Sequence, residues 1–444
     1  MNIKKLSLCK TALAGITLVL GLQAMAQPGG QGRAPIVPDT ATVAAIPSIR
    51  PASGNGPAWD SSPAQWPGHD IESFNYEINE YLISGTAAGE PYTTRLVIRK
   101  PRDDSRFSGL IVAEPMHPIG GAHAFEYNSV YIMDSGHIGV EITTNGADNI
   151  RDFNPARYGD IQISPLQTTE VLAQAGALIK SNSSPIANMD IRKMIMWGTS
   201  ASSGILVRYL DGHKVFTLAN GDNIYDGFMP TSNGRDIEAV DVPMIQVPTQ
   251  HEYSVGATMH QDSDEHGSQF RVYEFAGLAH LDARHNGTRL SQQDCQHPIS
   301  QFPQEAYFSV ALHHLLQWVD KGIEAPRAPR ILMDNFVDND GSLMLLDDEA
   351  GNAVGGIRNP YVDVAAYKYT MFNVPSGQGQ NANRLCGISG WQTPVAAEDM
   401  RERYGSPANY VRIFEERLNE LENEGWSLPV YHELIMQDAR SIHF

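Results

Sequence analysis

The chain has 444 residues, 42% hydrophobic, 19% charged and 8% aromatic, with 32 basic against 51 acidic side chains and a formal charge of −19. That composition excludes a collagen, a coiled coil and a wholly disordered chain, and the length allows about three domains or one elaborated α/β domain. The acidic balance excludes nucleic acid as a partner, because phosphate binding needs a basic surface, and an anionic membrane surface would repel it.

Residues Met1–Ala26 have the organisation of a secretory signal. Lys4, Lys5 and Lys10 form a positive start, Thr11–Leu22 is a short apolar run, and Ala24-Met25-Ala26 is a cleavage site of the A-x-A kind. The alternative is a membrane anchor, but the run falls short of the ~20 residues that span a bilayer, and no membrane span is expected in the mature form. Cleavage removes the three lysines and no acid, taking the charge to about −22, and leaves only Cys295 and Cys386. In an oxidising compartment these two are expected to pair as a disulfide; the alternative is two separate buried thiols. The mature protein is expected to be periplasmic or extracellular.

From Gln27 to about Gly68 the chain is rich in Pro, Gly, Ala and Ser and reads as a tether lying loosely on the body. Tyr76–Ile83 and Tyr92–Ile98 read as antiparallel strands around a turn at Gly85–Gly89. Gly109–Ala113 and His137–Thr143 are short apolar runs of the buried-strand type. Thr168–Lys180 has helical spacing, Lys193–Trp197 is a strand, and Ser203–Leu210 is helical. Val215–Ala219, Met244–Val247 and Phe270–Phe275 read as further strands, and Gln304–Lys321 as a strong helix. The alternation predicts a mostly parallel sheet with helices on both faces. After Ala325 the pattern changes to a hairpin over Ser342–Ile357 and two helices, Asn409–Glu424 and Tyr431–Ala439. Only a short stretch separates Val215–Ala219 from Met244–Val247, so no large lid is expected between the strands preceding the candidate acid.

The informative stretch is KMIMWGTSASSG, Lys193–Gly204. A strand, a sharp turn through Gly198-Thr199-Ser200-Ala201-Ser202 and a helix form the setting of a nucleophile elbow, where residues two away from the serine must be small. Ser202 stands where a second glycine is usual. The Ala201 N–H is a candidate oxyanion donor. A serine of ordinary pKa needs a base, and the base an orienting carboxylate, in the chain order Ser, acid, His. Glu252 follows the strand Met244–Val247, and His280 follows Phe270–Phe275, so both stand at strand ends. The second oxyanion donor is expected from the Glu114–Gly121 loop, as the His117 N–H, with His123 a candidate substrate-binding residue. A bland reading also exists: a Ser/Thr-rich helix cap without chemistry.

These segments resemble the α/β-hydrolase superfamily and, more narrowly, the bacterial secreted alpha/beta hydrolase domain-containing proteins. The resemblance rests on YEINEYLISGTA (Tyr76–Ala87), the elbow at Ser200, YDGFMP (Tyr225–Pro230), VPMIQVPTQHEY (Val242–Tyr253), FRVYEFAGLAH (Phe270–His280), WVDKGIEAPRAPRI (Trp318–Ile331) and GNAVGGIRNPYVDV (Gly351–Val364). It implies an esterase-like serine hydrolase with Ser200, Glu252 and His280 as its triad, although the family pattern has Gln where Ala201 stands and Asp where Glu252 stands. The expected organisation is a signal over 1–26, a tether over 27–70, a catalytic core over 71–324 and an extension over 325–444.

Asp338-Asn339-Asp340-Gly341 is weak as a calcium loop and reads better as a hairpin turn. His280 and His285 share no helical face, which argues against a zinc pair. No metal or cofactor is expected. The expected function is hydrolysis of small-molecule carboxylic esters. The alternatives are an amidase or peptidase with the same triad, and an inert binding protein on a hydrolase scaffold.

Overall fold

The computed structural model describes residues 36–63, 68–252, 260–286, 294–337, 343–378 and 385–444. The signal reading over 1–26 and the Asp338–Gly341 turn lie outside the described residues. The strands, in chain order, are β1 (Thr42–Val43), β2 (Ser48–Pro51), β3 (Tyr76–Ala87), β4 (Glu90–Pro101), β5 (Leu110–Pro115), β6 (Ile138–Ile142), β7 (Lys193–Thr199), β8 (Phe216–Thr217), β9 (Gly227–Thr231), β10 (Met244–Gln246) and β11 (Phe270–Val272). Nine of them form one sheet in the order β11-β10-β9-β7-β5-β6-β4-β3-β2. The run from β11 to β6 is parallel, and β4, β3 and β2 close the edge in antiparallel pairs.

The central strands β5, β6 and β7 are apolar and buried along nearly their whole length, as expected of a sheet covered on both faces. On one face the helices Thr168–Ile179 and Ala201–His213 pack through Leu172, Ala175, Ile205 and Tyr209. On the other, Gln304–Lys321 packs Phe308, Leu312 and Leu315 in one cluster with Trp197 and Val247. Tyr361, Phe414, Tyr431 and Ile435 belong to that same cluster, so residues beyond Ala325 share the core of the sheet. The C-terminal helices run over Ala397–Tyr404, Pro407–Glu424 and His432–Arg440. Among the described residues no helix is long and apolar enough to cross a membrane.

Two readings of the chain change. Val215–Ala219 contributes only β8, which pairs with β1 outside the main sheet. The strand beside β7 is β9, within YDGFMP, where Gly227 and Pro230 mask the strand signal; its parallel register with β7 sets Ile195 opposite Gly227 and Gly198 opposite Pro230. Residues 232–243, between β9 and β10, hold no helix. The N-terminal segment, read as a loose tether, adds β2 to the sheet edge. It also lays Trp59 and Ser61 across the sheet end: the Trp59 Nε1–H donates to Gly120 O at 2.7 Å, and the Ala122 N–H donates to Ser61 O at 2.6 Å. Beneath this strap Arg95, almost fully buried, pairs with Glu80 at 2.5 Å and Glu141 at 2.6 Å.

Candidate active site

In a parallel sheet the crevice beyond the carboxyl ends of the strands is where sites form, at the point where successive connections run in opposite directions. Here that point lies between β5 and β7, neighbours in the sheet whose connections lead to opposite sides. The end of β7 carries Ser200. Its φ is 54° and ψ −121°, a left-handed backbone that a side chain adopts only where the surrounding structure imposes it. Gly198 makes this possible: a Cβ there would lie 2.6 Å from Ser202 O. Ser202 adds what glycine could not, for its hydroxyl accepts the Thr199 N–H at 2.9 Å and donates to Thr199 O at 2.8 Å. The elbow is pinned to the next strand by the Ser200 N–H, which donates to Thr231 O at 3.0 Å.

His280 Nε2 lies 2.8 Å from Ser200 Oγ, and its Nδ1 pairs closely with Glu252 Oε1. Glu252 is 8% exposed and His280 9%. Thr249 donates to Glu252 Oε2 from both its N–H, at 2.9 Å, and its hydroxyl, at 2.5 Å. Burial raises the Glu252 carboxyl, but the facing His280 and the Thr249 hydrogen bonds outweigh it and hold the group down at about 2. The two loops are tied to each other: the Gln250 N–H donates to Leu278 O at 2.8 Å, and the Gly277 N–H donates to Gln250 Oε1 at 2.9 Å. Gln304, at the start of the long helix, donates to Ala279 O at 3.1 Å. The chain from beyond residue 385 also braces the loop that carries His280, with Leu281 pairing to Ser389. Gly390 is required there, because a Cβ would come within 2.5 Å of the Ala279 side chain.

The other site residues are placed as follows. The Ala201 N–H heads the helix Ala201–His213 and has no hydrogen-bond partner among the described residues. The expectation for His117 is corrected: its N–H donates to Gly121 O at 2.9 Å inside the loop's own turn, so it is unavailable to an oxyanion. His117 and His123 are both buried and stack with ring centroids 4.3 Å apart. Glu114, at the end of β5, accepts the Ala124 and Phe125 N–H groups at 2.9 and 3.0 Å and closes this loop. Cys295 and Cys386 form a disulfide with a Cα–Cα distance of 5.5 Å.

A second histidine, on the short helix Ala283–Asn286, has a different setting. His285 is fully buried between two carboxylates: Nδ1 is 3.1 Å from Asp282 Oδ2, and Nε2 is 3.0 Å from Glu305 Oε2. Glu305 Oε1 also accepts the Val130 N–H and the Tyr431 hydroxyl, each at 2.9 Å. Burial works against a charge on His285, but Asp282 and Glu305 raise it to about 10. The sequence reading weighed His285 only as a zinc ligand. Asp282 at the i−3 position was a usable signal, whereas Glu305 and Tyr431 reach it only through the fold. Thr249, three residues before Glu252, was likewise legible as a turn partner.

Comparison with known proteins gives a family. The model of a family described as an alpha/beta hydrolase domain matches residues 37–437. No curated protein matches the chain. Among solved structures, esterase Est22 is similar at 9% identity and a TM-score of 0.29, with 40% of this chain and 66% of that one covered, just under two thirds of its length. A cold-adapted esterase from an Arctic intertidal metagenomic library is similar at 10% identity and a TM-score of 0.25, over 44% of this chain and 85% of that one. A mutant of esterase rPPE is similar at 9% and 0.31, over 46% and 74%. Likeness at these scores carries no argument about function; the family match extends over most of the chain, and the chain belongs to the alpha/beta hydrolase domain family.

Proposed function

We propose that the protein is an exported serine hydrolase of carboxylic esters, with Ser200 as nucleophile, His280 as general base and acid, and Glu252 as the carboxylate that orients His280. The observation that carries this reading is the Ser200 hydroxyl, held on a strained elbow 2.8 Å from His280 Nε2 while Glu252 occupies Nδ1. Glu252 stays ionised and fixes the proton of neutral His280 on Nδ1, leaving Nε2 to accept the Ser200 proton as Oγ attacks the ester carbonyl. The oxyanion that forms faces the head of the helix Ala201–His213, where the Ala201 N–H donates to it. Collapse of the tetrahedral adduct breaks the bond to the alcohol oxygen, and His280 returns the proton there. Water then gives a proton to His280 and attacks the acyl-serine; the second adduct collapses by breaking the acyl–Oγ bond, His280 returns the proton to Ser200 Oγ, and the acid is freed. The Cys295–Cys386 disulfide supports an oxidising compartment.

The test is Ser200→Ala on a panel of p-nitrophenyl esters with matched anilides. Ester turnover is expected to fall by about 10⁴-fold or more, and a fluorophosphonate probe should label the native protein and not the variant. Undiminished turnover in the variant defeats the assignment. Faster turnover of the anilides would move the reaction class to an amidase.

A further inference from the structure

We propose that Phe372 and His251 form an alcohol-side subsite that selects esters of aromatic alcohols. The inference rests on the hydrolase reading above and adds to it a substrate class.

In that reaction His280 Nε2 must reach the oxygen of the departing alcohol, so the remainder of the alcohol extends from the His280 side of Ser200. The Nδ1 side of the ring is closed by Glu252. Beside His280 stands the His251 ring, at a steep angle to it and with centroids 5.8 Å apart. The next ring outward is Phe372, 4.6 Å from His251. Phe372 is 52% exposed, whereas most aromatic side chains of the described residues are buried. Two ring steps, of 5.8 and 4.6 Å, therefore lead from the His280 ring to an apolar surface open to solvent, on which the ring of an aromatic alcohol can rest.

Three contacts hold the backbone that carries the exposed ring. Its backbone is fixed: Phe372 O accepts the Trp391 Nε1–H at 3.1 Å. Its neighbour Asn373 accepts the His297 N–H at 3.2 Å and donates to His297 O at 2.9 Å. The segment also pairs at Pro375 with Cys295, which the disulfide ties to Cys386. A rigid, preorganised aromatic surface binds at lower entropic cost than a mobile one. The charge state is also suitable. Burial lowers His251 to about 4, so at neutral pH its ring is uncharged, offers an aromatic face, and adds no positive charge beside His280 as that ring becomes protonated. A flat aromatic group would meet His251 and Phe372 in the offset or edge-on arrangements that rings prefer.

The experiment compares benzyl acetate with ethyl acetate, whose alcohols leave with similar basicity, so that the ratio of their kcat/KM values reports binding on the alcohol side. The native protein is expected to favour the benzyl ester. Phe372→Ala should reduce the benzyl-to-ethyl ratio by about tenfold, chiefly through KM, and Phe372→Trp should restore it. An unchanged ratio in Phe372→Ala overturns the subsite, as does a lost ratio that Phe372→Trp fails to recover. Fluorophosphonate labelling of Ser200 separates the two levels of the argument. Labelled protein that hydrolyses both esters without discrimination overturns the subsite alone, and unlabelled protein that hydrolyses neither overturns the hydrolase reading together with it.

Discussion

Two histidines five residues apart, His280 in the loop after β11 and His285 on the short helix Ala283–Asn286, show how placement decides what an imidazole does. His280 meets one carboxylate and a hydroxyl, Glu252 on Nδ1 and Ser200 on Nε2. His285 meets carboxylates on both nitrogens, Asp282 and Glu305. A ring between an acceptor and a hydroxyl can take and return a proton. A ring between two anions in a dry interior keeps its proton, because releasing it would leave two buried negative charges facing each other. The second histidine is thus a fixed cation. It fastens the chain just after His280 to Val130 and Tyr431 through Glu305.

The sharpest way to break this comparison is to alter the carboxylate beside the first histidine and the ring of the second. Glu252→Gln should lower kcat by about 10⁴-fold with the fold intact, because an amide no longer fixes the proton on Nδ1; steady-state kinetics beside a thermal melt checks both halves. His285→Gln should do the reverse. It removes the cation between Asp282 and Glu305 and should cost about 3–5 kcal/mol of stability in a denaturant titration, while the fraction that remains folded still labels at Ser200. A variant at position 285 that kept full stability and lost activity would erase the distinction and make His285 part of the chemistry.

The smallest expected effect is on the pH dependence of stability. His285 is raised from 6.5 to about 10, so its contribution is complete below pH 6.5, declines as pH rises, and is gone above about 10. Glu252 is lowered from 4.5 to about 2, so its contribution is complete above pH 4.5 and is lost as pH falls towards 2. Melting temperatures of the native protein and His285→Gln should therefore converge on the alkaline side. A gap between them that stayed constant from pH 6 to 10.5 would contradict the assignment of a buried cation.

The elbow and the order of the candidate triad were legible because their signals are local: an apolar strand, small residues around Ser200, and acidic and basic residues just past strand ends. The strand β9 was not, since Gly227 and Pro230 punctuate a segment whose strand character comes from its neighbours β7 and β10. The edge strand β2 was obscured for the opposite reason: its short, mostly exposed run has no hydrophobic period to reveal it. The His117 N–H was a reasonable donor by position alone. Only the closed turn to Gly121 shows that it is already spent. The Asp282–His285–Glu305 arrangement was half legible, for Asp282 is a near neighbour and Glu305 is supplied by packing.

The strap of Trp59 and Ser61 and the pairing of Leu281 with Ser389 also bear on the order in which the molecule is built. Trp59 reaches Gly120 across 61 residues, Cys295 joins Cys386 across 91, and Tyr431 reaches Glu305 across 126. Contacts so distant along the chain form late, because the loops between them must close first. A chain synthesised only as far as His280 already carries Ser200, Glu252 and His280, but lacks Glu305, Ser389 and Tyr431, which brace the segment around His280 and His285. Hydrolytic competence would then come with the C-terminal residues, and under the export reading the nucleophile would remain idle until the whole chain had crossed the membrane.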